Sequence, residues 1–300
     1  MTHSQEVYTF ATYKETALQA TFYRPPSTQT YRATLIYFHG GGLVFGQRDD
    51  LPDIYIEQLT QAGYGLLAVD YLLAPETTLD IILEQAQLAI TWFLTATESP
   101  TDELHLATQR HYLFGRSAGA YLALYLGAQQ AKTRTEKLEA NAKDLTETAA
   151  GIISFYGYYN LNEASFTVPS RHYLSFKQVP PASVEKLIRQ QPLVTGPMDE
   201  RYVIYLAGRQ AGDWIKRLLP ADHSARDYSL SQSDLKTLPK TFIAAASGDT
   251  DVPVRQSRLM SQHIPDADLH IIESTEHDFD RTQIETHGLP VYQSLLSWLD

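Results

Sequence analysis

His111-Tyr112-Leu113-Phe114-Gly115-Arg116-Ser117-Ala118-Gly119 is the stretch on which the fold turns. Residues 111–114 are a short apolar run of strand character, and residues 118–130 read as a helix. Between them stands Gly115-Arg116-Ser117-Ala118-Gly119, a G-x-S-x-G match. A turn from strand to helix this sharp leaves no room for side chains at either glycine. It projects the Ser117 hydroxyl at the sheet edge, beside a helix N-terminus that favours negative charge. The plainer alternative is a glycine-containing helix start that happens to carry a serine. The strand before and the helix after favour a nucleophile elbow.

Upstream, the apolar strand Ala33–Phe38 runs directly into His39-Gly40-Gly41-Gly42. Three glycines in succession let backbone N–H groups face a cavity with no side chains in the way, as in an HGGG-type oxyanion loop. Each such donor is typically worth about 10²–10³ in rate. A phosphate loop is disfavoured, because the run lacks the G-x-x-x-x-G-K-[ST] spacing and no lysine follows it. His39 reads as a structural hydrogen-bonder of the loop rather than a base.

A serine hydroxyl is a weak nucleophile and needs a base, itself oriented by a carboxylate. On a strand–turn–helix scaffold of this kind the order along the chain is Ser, then Asp or Glu, then His. The acid is expected after a late strand, and Thr241–Ala246 is followed by Ser247-Gly248-Asp249-Thr250-Asp251-Val252-Pro253. Asp249 and Asp251 compete; Asp249 lies nearer the strand end and is favoured. Four histidines follow. His263 falls in a helix, His270 inside a strand, and His287 beyond the expected loop. His277 comes just after the final strand and suits a loop-borne base.

The rest of the chain fits the same scheme. Residues 6–12 and 17–24 read as an opening antiparallel pair, and 65–69, Gly151–Phe155 and 269–272 as further strands. Residues 51–62, 80–97 and 291–299 read as helices, with Ile81, Ile82, Leu88, Trp92 and Phe93 near one face of the second. Residues 131–148 are polar and read as a solvated helix extension or loop. The fold class is therefore α/β: a mostly parallel central sheet flanked by helices. Residues 157–238 break the alternation, are rich in aromatics and hold helical segments near 183–190 and 200–218. They read as a helical cap insertion over the carboxyl edge of the sheet, where open α/β sheets bind ligands. The core is then 1–156 and 239–300.

The chain has 300 residues, 43% of them hydrophobic, which is enough for a large core. It has no cysteine, so disulfides, thiolate nucleophiles and cysteine-bound metals are excluded. A formal net charge of −11 argues against nucleic acid as a partner. No basic, apolar leader opens the sequence and no apolar run is long enough to span a bilayer. The expectation is a cytoplasmic protein without stable membrane insertion; a homodimer is compatible with the sequence.

Together these motifs resemble the α/β-hydrolase superfamily, and within it the bacterial esterase/lipase group related to hormone-sensitive lipase. His39-Gly40-Gly41-Gly42 matches its HGGG, residues 69–76 (VDYLLAPE) are similar to V-D-Y-R-L-A-P-E, and residues 115–119 (GRSAG) are similar to G-D-S-A-G. Asp249-x-x-Val252-Pro253 and His277-x-Phe279 resemble the acid and base loops. The resemblance implies a triad of Ser117, Asp249 and His277, with oxyanion donors at the backbone N–H groups of Gly41, Gly42 and Ala118. It implies hydrolysis of small or short-chain carboxylic esters through an acyl-enzyme, with no cofactor and no metal. A peptidase, a small-molecule deacetylase and a non-catalytic ligand-binding relative are the alternatives. The departures are Leu72 for arginine, Thr77-Thr78-Leu79 for an HPF-like run, Gln85 for an acid, and Arg116 for the acid before the nucleophile. Arg116 has two readings: a pair with a surface acid, or a partner for a substrate carboxylate. An ordinary histidine titrates near pH 6.5, so activity is expected to fall in mild acid.

Overall fold

Every residue of Ala33–Phe38 is buried, and its side chains go alternately to two different cores. Ile36 and Phe38 join one apolar cluster, while Ala33, Leu35 and Tyr37 join the other, as the two-residue period of a strand requires. A strand covered on both faces belongs inside a parallel sheet with helices on each side. The computed structural model, which describes residues 4–98, 104, 106–140 and 147–300, has this architecture.

Eight strands form one sheet: β1 (Gln5–Tyr13), β2 (Thr16–Tyr23), β3 (Ala33–Phe38), β4 (Tyr64–Val69), β5 (His111–Arg116), β6 (Gly151–Phe155), β7 (Thr241–Ala246) and β8 (Ala267–Ile272). Their order is β1-β2-β4-β3-β5-β6-β7-β8; β2 pairs antiparallel with both β1 and β4, and every other pair is parallel. The long helices are α1 (Asp53–Gln61), α2 (Leu79–Glu98) and α3 (Ala118–Glu139). Six helices follow between β6 and β7: α4 (Ala164–Thr167), α5 (Arg171–Leu174), α6 (Pro181–Glu185), α7 (Met198–Ala211), α8 (Trp214–Leu218) and α9 (Gln232–Leu235). The chain closes with α10 (Val254–His263), α11 (Phe279–Thr282) and α12 (Leu289–Leu299). Side chains of α1 and α12 (Tyr55, Leu59, Tyr292, Leu295) fill one core, and those of α2, α3 and α10 (Ile82, Tyr121, Met260) fill the other.

The strand order reverses at β3, which pairs with β4 on one side and β5 on the other. Phe38 sits opposite both Val69 and Gly115, so the loops after β3, β4 and β5 leave the sheet at one level. That crevice is where an open α/β sheet binds its ligand.

Helix α3 continues to Glu139 with its last turns exposed, the solvated extension expected after residue 130; residues 141–146 lie outside the described residues. Three details differ from the sequence reading. Leu88 is 38% exposed, because the buried stripe of α2 runs through Ile82, Ala86, Ala89 and Phe93, one residue over from the Ile81–Leu88–Trp92 row. The helical stretch 200–218 is two helices, broken at Gly212, whose φ of 72° ends α7. The helix expected near 183–190 is the shorter α6, which starts at Pro181, a residue suited to the first helical turn.

Candidate active site

Ser117 links β5 to α3 with φ 52° and ψ −117°. A non-glycine residue in that conformation carries strain of order 1–3 kcal/mol. The surroundings hold it there. Its N–H donates to the Phe155 carbonyl (2.9 Å), and its carbonyl accepts from the N–H groups of Ala120 and Tyr121. The glycines on either side permit the turn: a Cβ on Gly115 would collide with the Gly119 backbone, and one on Gly119 with the Phe38 carbonyl.

Opposite the hydroxyl, the loop after β8 carries His277. Its Nε2 lies 2.9 Å from Ser117 Oγ, and its Nδ1 lies 2.6 Å from Asp249 Oδ2. Asp249 is fixed in turn, since its Oδ1 accepts from the N–H groups of Asp251 (2.7 Å) and Val252 (3.0 Å). The structure thus brings Ser117, His277 and Asp249 into one hydrogen-bonded line. Asp251 is placed differently. Its Oδ1 accepts from Arg209 and from Tyr205 Oη (2.5 Å), and its Oδ2 stands 3.8 Å from His277 Nε2. His263 ends α10 and His270 lies in β8, stacked on Phe242. His287 sits in a π-helical turn at Ile284–Gly288.

Burial alone would lower the affinity of His277 for a proton. The carboxylates of Asp249, Asp251 and Asp278 outweigh it and raise the imidazole from 6.5 to about 9. Burial also works against the Asp251 carboxylate, but Arg209 and His277 hold it below the usual carboxylate range.

The glycine loop completes the wall. Gly41 and Gly42 have φ of 104° and 60°. The N–H groups of Gly41, Gly42 and Ala118 meet no hydrogen-bond acceptor among the described residues. His39 is buried, stacks on Tyr71 and bonds through Nδ1 to the Gly40 carbonyl (2.7 Å), a structural placement. The segment between β6 and β7 grips this loop at several points. Trp214 Nε1 donates to the Gly42 carbonyl (3.0 Å), and Gly196 and Gly46 exchange backbone bonds. Arg201 donates to the carbonyls of Val44 and Ala74 and forks onto Glu76. The cavity in front of Ser117 is partly open to solvent and measures about 770 Å³, within the range of small-molecule sites. Phe45, Tyr173, Tyr202 and Tyr205 supply its aromatic walls. Among the described residues no group of His, Asp and Glu is arranged to hold a metal ion.

Arg116 pairs with acids, as the first of its sequence readings has it. Its acid is Asp280, which is fully buried rather than on the surface (Nη2–Oδ1 3.0 Å). Nε donates to Tyr156 Oη (2.7 Å), and Nη1 lies 3.5 Å from Asp50. With these partners the guanidinium is occupied and has little to offer a substrate carboxylate. Tyr156 Oη also donates to Asp280 (2.7 Å), and its ring meets the His277 imidazole edge-on at 4.7 Å. Sequence reading did not single out Tyr156, Arg209 or Arg201. The local trace they left is the four-residue spacing of Arg201, Tyr205 and Arg209, which puts these three on one helix face.

The sequence pattern of the alpha/beta hydrolase fold family matches residues 35–280. A protein of unknown function from Staphylococcus aureus superposes with a TM-score of 0.82 at 29% identity, covering 98% of both chains. An alpha/beta hydrolase superfamily protein from Enterococcus faecalis gives 0.78 at 29% identity, covering 99% of both. Ethyl acetate hydrolase of Pseudomonas putida is 33% identical over 119 residues, 39% of this chain and 36% of that one. This chain therefore aligns with only about a third of that relative's length. No described helix is long and apolar enough to cross a membrane. By its sheet order, its strained serine turn and a family match over most of its length, the chain belongs to the α/β-hydrolase fold family.

Proposed function

We propose that the protein is a carboxylesterase that hydrolyses small or short-chain esters with Ser117, His277 and Asp249. The observation that carries the reading is the hydrogen-bonded line from Ser117 Oγ through His277 to Asp249. In this reading neutral His277 takes the Ser117 proton at Nε2 as Oγ attacks the ester carbonyl. Asp249 holds the Nδ1 tautomer and stabilises the imidazolium. The carbonyl oxygen becomes an oxyanion against the N–H groups of Gly41, Gly42 and Ala118. His277 then gives its proton to the leaving alcohol, which departs and leaves an acyl-Ser117 ester. Water, deprotonated by the same imidazole, releases the acid. The similarity to an ethyl acetate hydrolase supports a small ester as substrate. Residues 157–238 form the cap in this reading, over a core of 1–156 and 239–300.

The test is a panel of p-nitrophenyl esters of graded acyl length, run beside Ser117→Ala. Turnover of the shorter esters by the native protein, and none by a folded Ser117→Ala, is expected. Hydrolysis retained by that variant would remove Ser117 from the reaction.

A further inference from the structure

The geometry points to Asp251 as a positioning carboxylate for His277, held from behind by Tyr205 and Arg209 of α7 and acting on the Nε2 edge of the ring as Asp249 acts on the Nδ1 edge. The inference rests on the reading of His277 as the base.

The placement of Asp251 is specific. Oδ1 takes Arg209 and Tyr205, both from α7, while Oδ2 stands 3.8 Å from Nε2. That distance is too long for a hydrogen bond but close enough for a strong charge–charge interaction. Arg209 is itself fully buried, inside a box of the Phe166, Tyr173, Tyr205 and Trp214 rings at 4.8–5.5 Å. An acid needed only to satisfy Arg209 has no reason to stand on the cavity wall beside the reacting nitrogen; Asp251 does.

The groups facing His277 are few. Asp249 and Asp251 come from the loop after β7, Asp278 from its own loop, Tyr156 from the turn after β6, and Ser117 from the elbow. Arg209 stands behind Asp251, and Arg116 stands behind Tyr156. When Nε2 accepts the serine proton, the new positive charge therefore appears between two carboxylates rather than beside one. Asp251 favours that proton-carrying state and raises the pH at which the resting imidazole becomes a free base. The segment between β6 and β7 thereby sets the proton affinity of the base as well as covering the cavity.

The experiment is an NMR titration of the His277 ring in the full chain, paired with the pH profile of kcat/KM on p-nitrophenyl acetate. Asp251→Asn keeps the size of the side chain and an acceptor for Arg209 and Tyr205. It is expected to lower the His277 pKa by about one unit or more, and the kinetic inflection with it. Asp251→Glu restores part of the difference. Asp251→Asn leaves the Arg209 charge unpaired, so the double variant Asp251→Asn/Arg209→Gln is the control, and it also serves if the single variant fails to fold. The lowered pKa is expected to persist in the double variant. A His277 pKa unchanged in Asp251→Asn, or returned to the native value in the double variant, overturns the inference. Fluorophosphonate labelling of native Ser117 separately tests the nucleophile on which the esterase reading depends, so the two can fail independently.

Discussion

If His277 is the base, the pH dependence of the protein follows from the charges around it. The structure raises its imidazole from 6.5 to about 9, against the effect of burial and because of Asp249, Asp251 and Asp278. At pH 7 only about 1% of molecules would then hold the neutral ring that can accept the serine proton. Between pH 6 and 8 kcat/KM should climb roughly tenfold per pH unit and level off near pH 9. This moves the loss of activity well above the mild acid expected of an ordinary histidine. Stability should run the other way. A folded-state pKa above the unfolded value means the fold stabilises the charged ring. That contribution is complete below pH 6.5 and is lost as pH rises through 9. The gap between 6.5 and about 9, at 1.36 kcal/mol per tenfold, corresponds to roughly 3 kcal/mol. The side chain is 19% exposed, so solvent screening removes little of it. Ester hydrolysis from pH 5.5 to 9.5, with Ser117→Ala subtracted, measures the first curve, and urea unfolding over the same range measures the second. A kinetic inflection at or below 6.5, or stability that increases from pH 6.5 to 9, would show that the three carboxylates do not favour the charged His277 ring.

Three more outcomes are expected. Asp249→Asn should lower kcat by about 10⁴-fold while ester binding changes little, because the ring loses its tautomer and its main counter-charge; steady-state kinetics on one neutral ester checks it. Arg201→Met should destabilise the protein by about 3–5 kcal/mol, since the Glu76 carboxylate it strands is fully buried. Urea unfolding reads that loss, and Arg201→Met/Glu76→Gln should recover part of it. Neutral esters should be preferred over hemisuccinate esters of the same alcohol by about tenfold or more in kcat/KM. Both guanidinium side chains on the cavity wall, Arg116 and Arg281, are already paired with acids; equal efficiency on the two esters would contradict that.

The parts of the fold that could be read from the sequence were those where burial leaves a local trace. The bounds of β3, β6 and β7 coincide with mostly apolar, fully buried runs, each carrying a single Thr or Ser (Thr34, Ser154, Thr241), because each is covered on both faces. Helix ends were less legible: α3 outruns its apolar face by more than two turns. Ser117, Asp249 and His277 each follow a strand that ends at the same edge of the sheet, so their positions showed along the chain. What surrounds them did not. Arg209 meets Asp251 across 42 residues, and Arg116 meets Asp280 across 164. Folding brings those pairs together, and nothing local records them. For the same reason the sequence left two readings of Arg116 open, and the structure gives it the acid partners Asp280 and Asp50.

Hydrolysis as proposed requires an activated nucleophile at Ser117. A fluorophosphonate probe applied to the native protein, followed by peptide mass spectrometry, reads that activation. Modification at Ser117 is expected, with labelling lost in Ser117→Ala and strongly slowed in His277→Ala. An unlabelled native protein, or a label on another serine, would rule Ser117 out as the nucleophile.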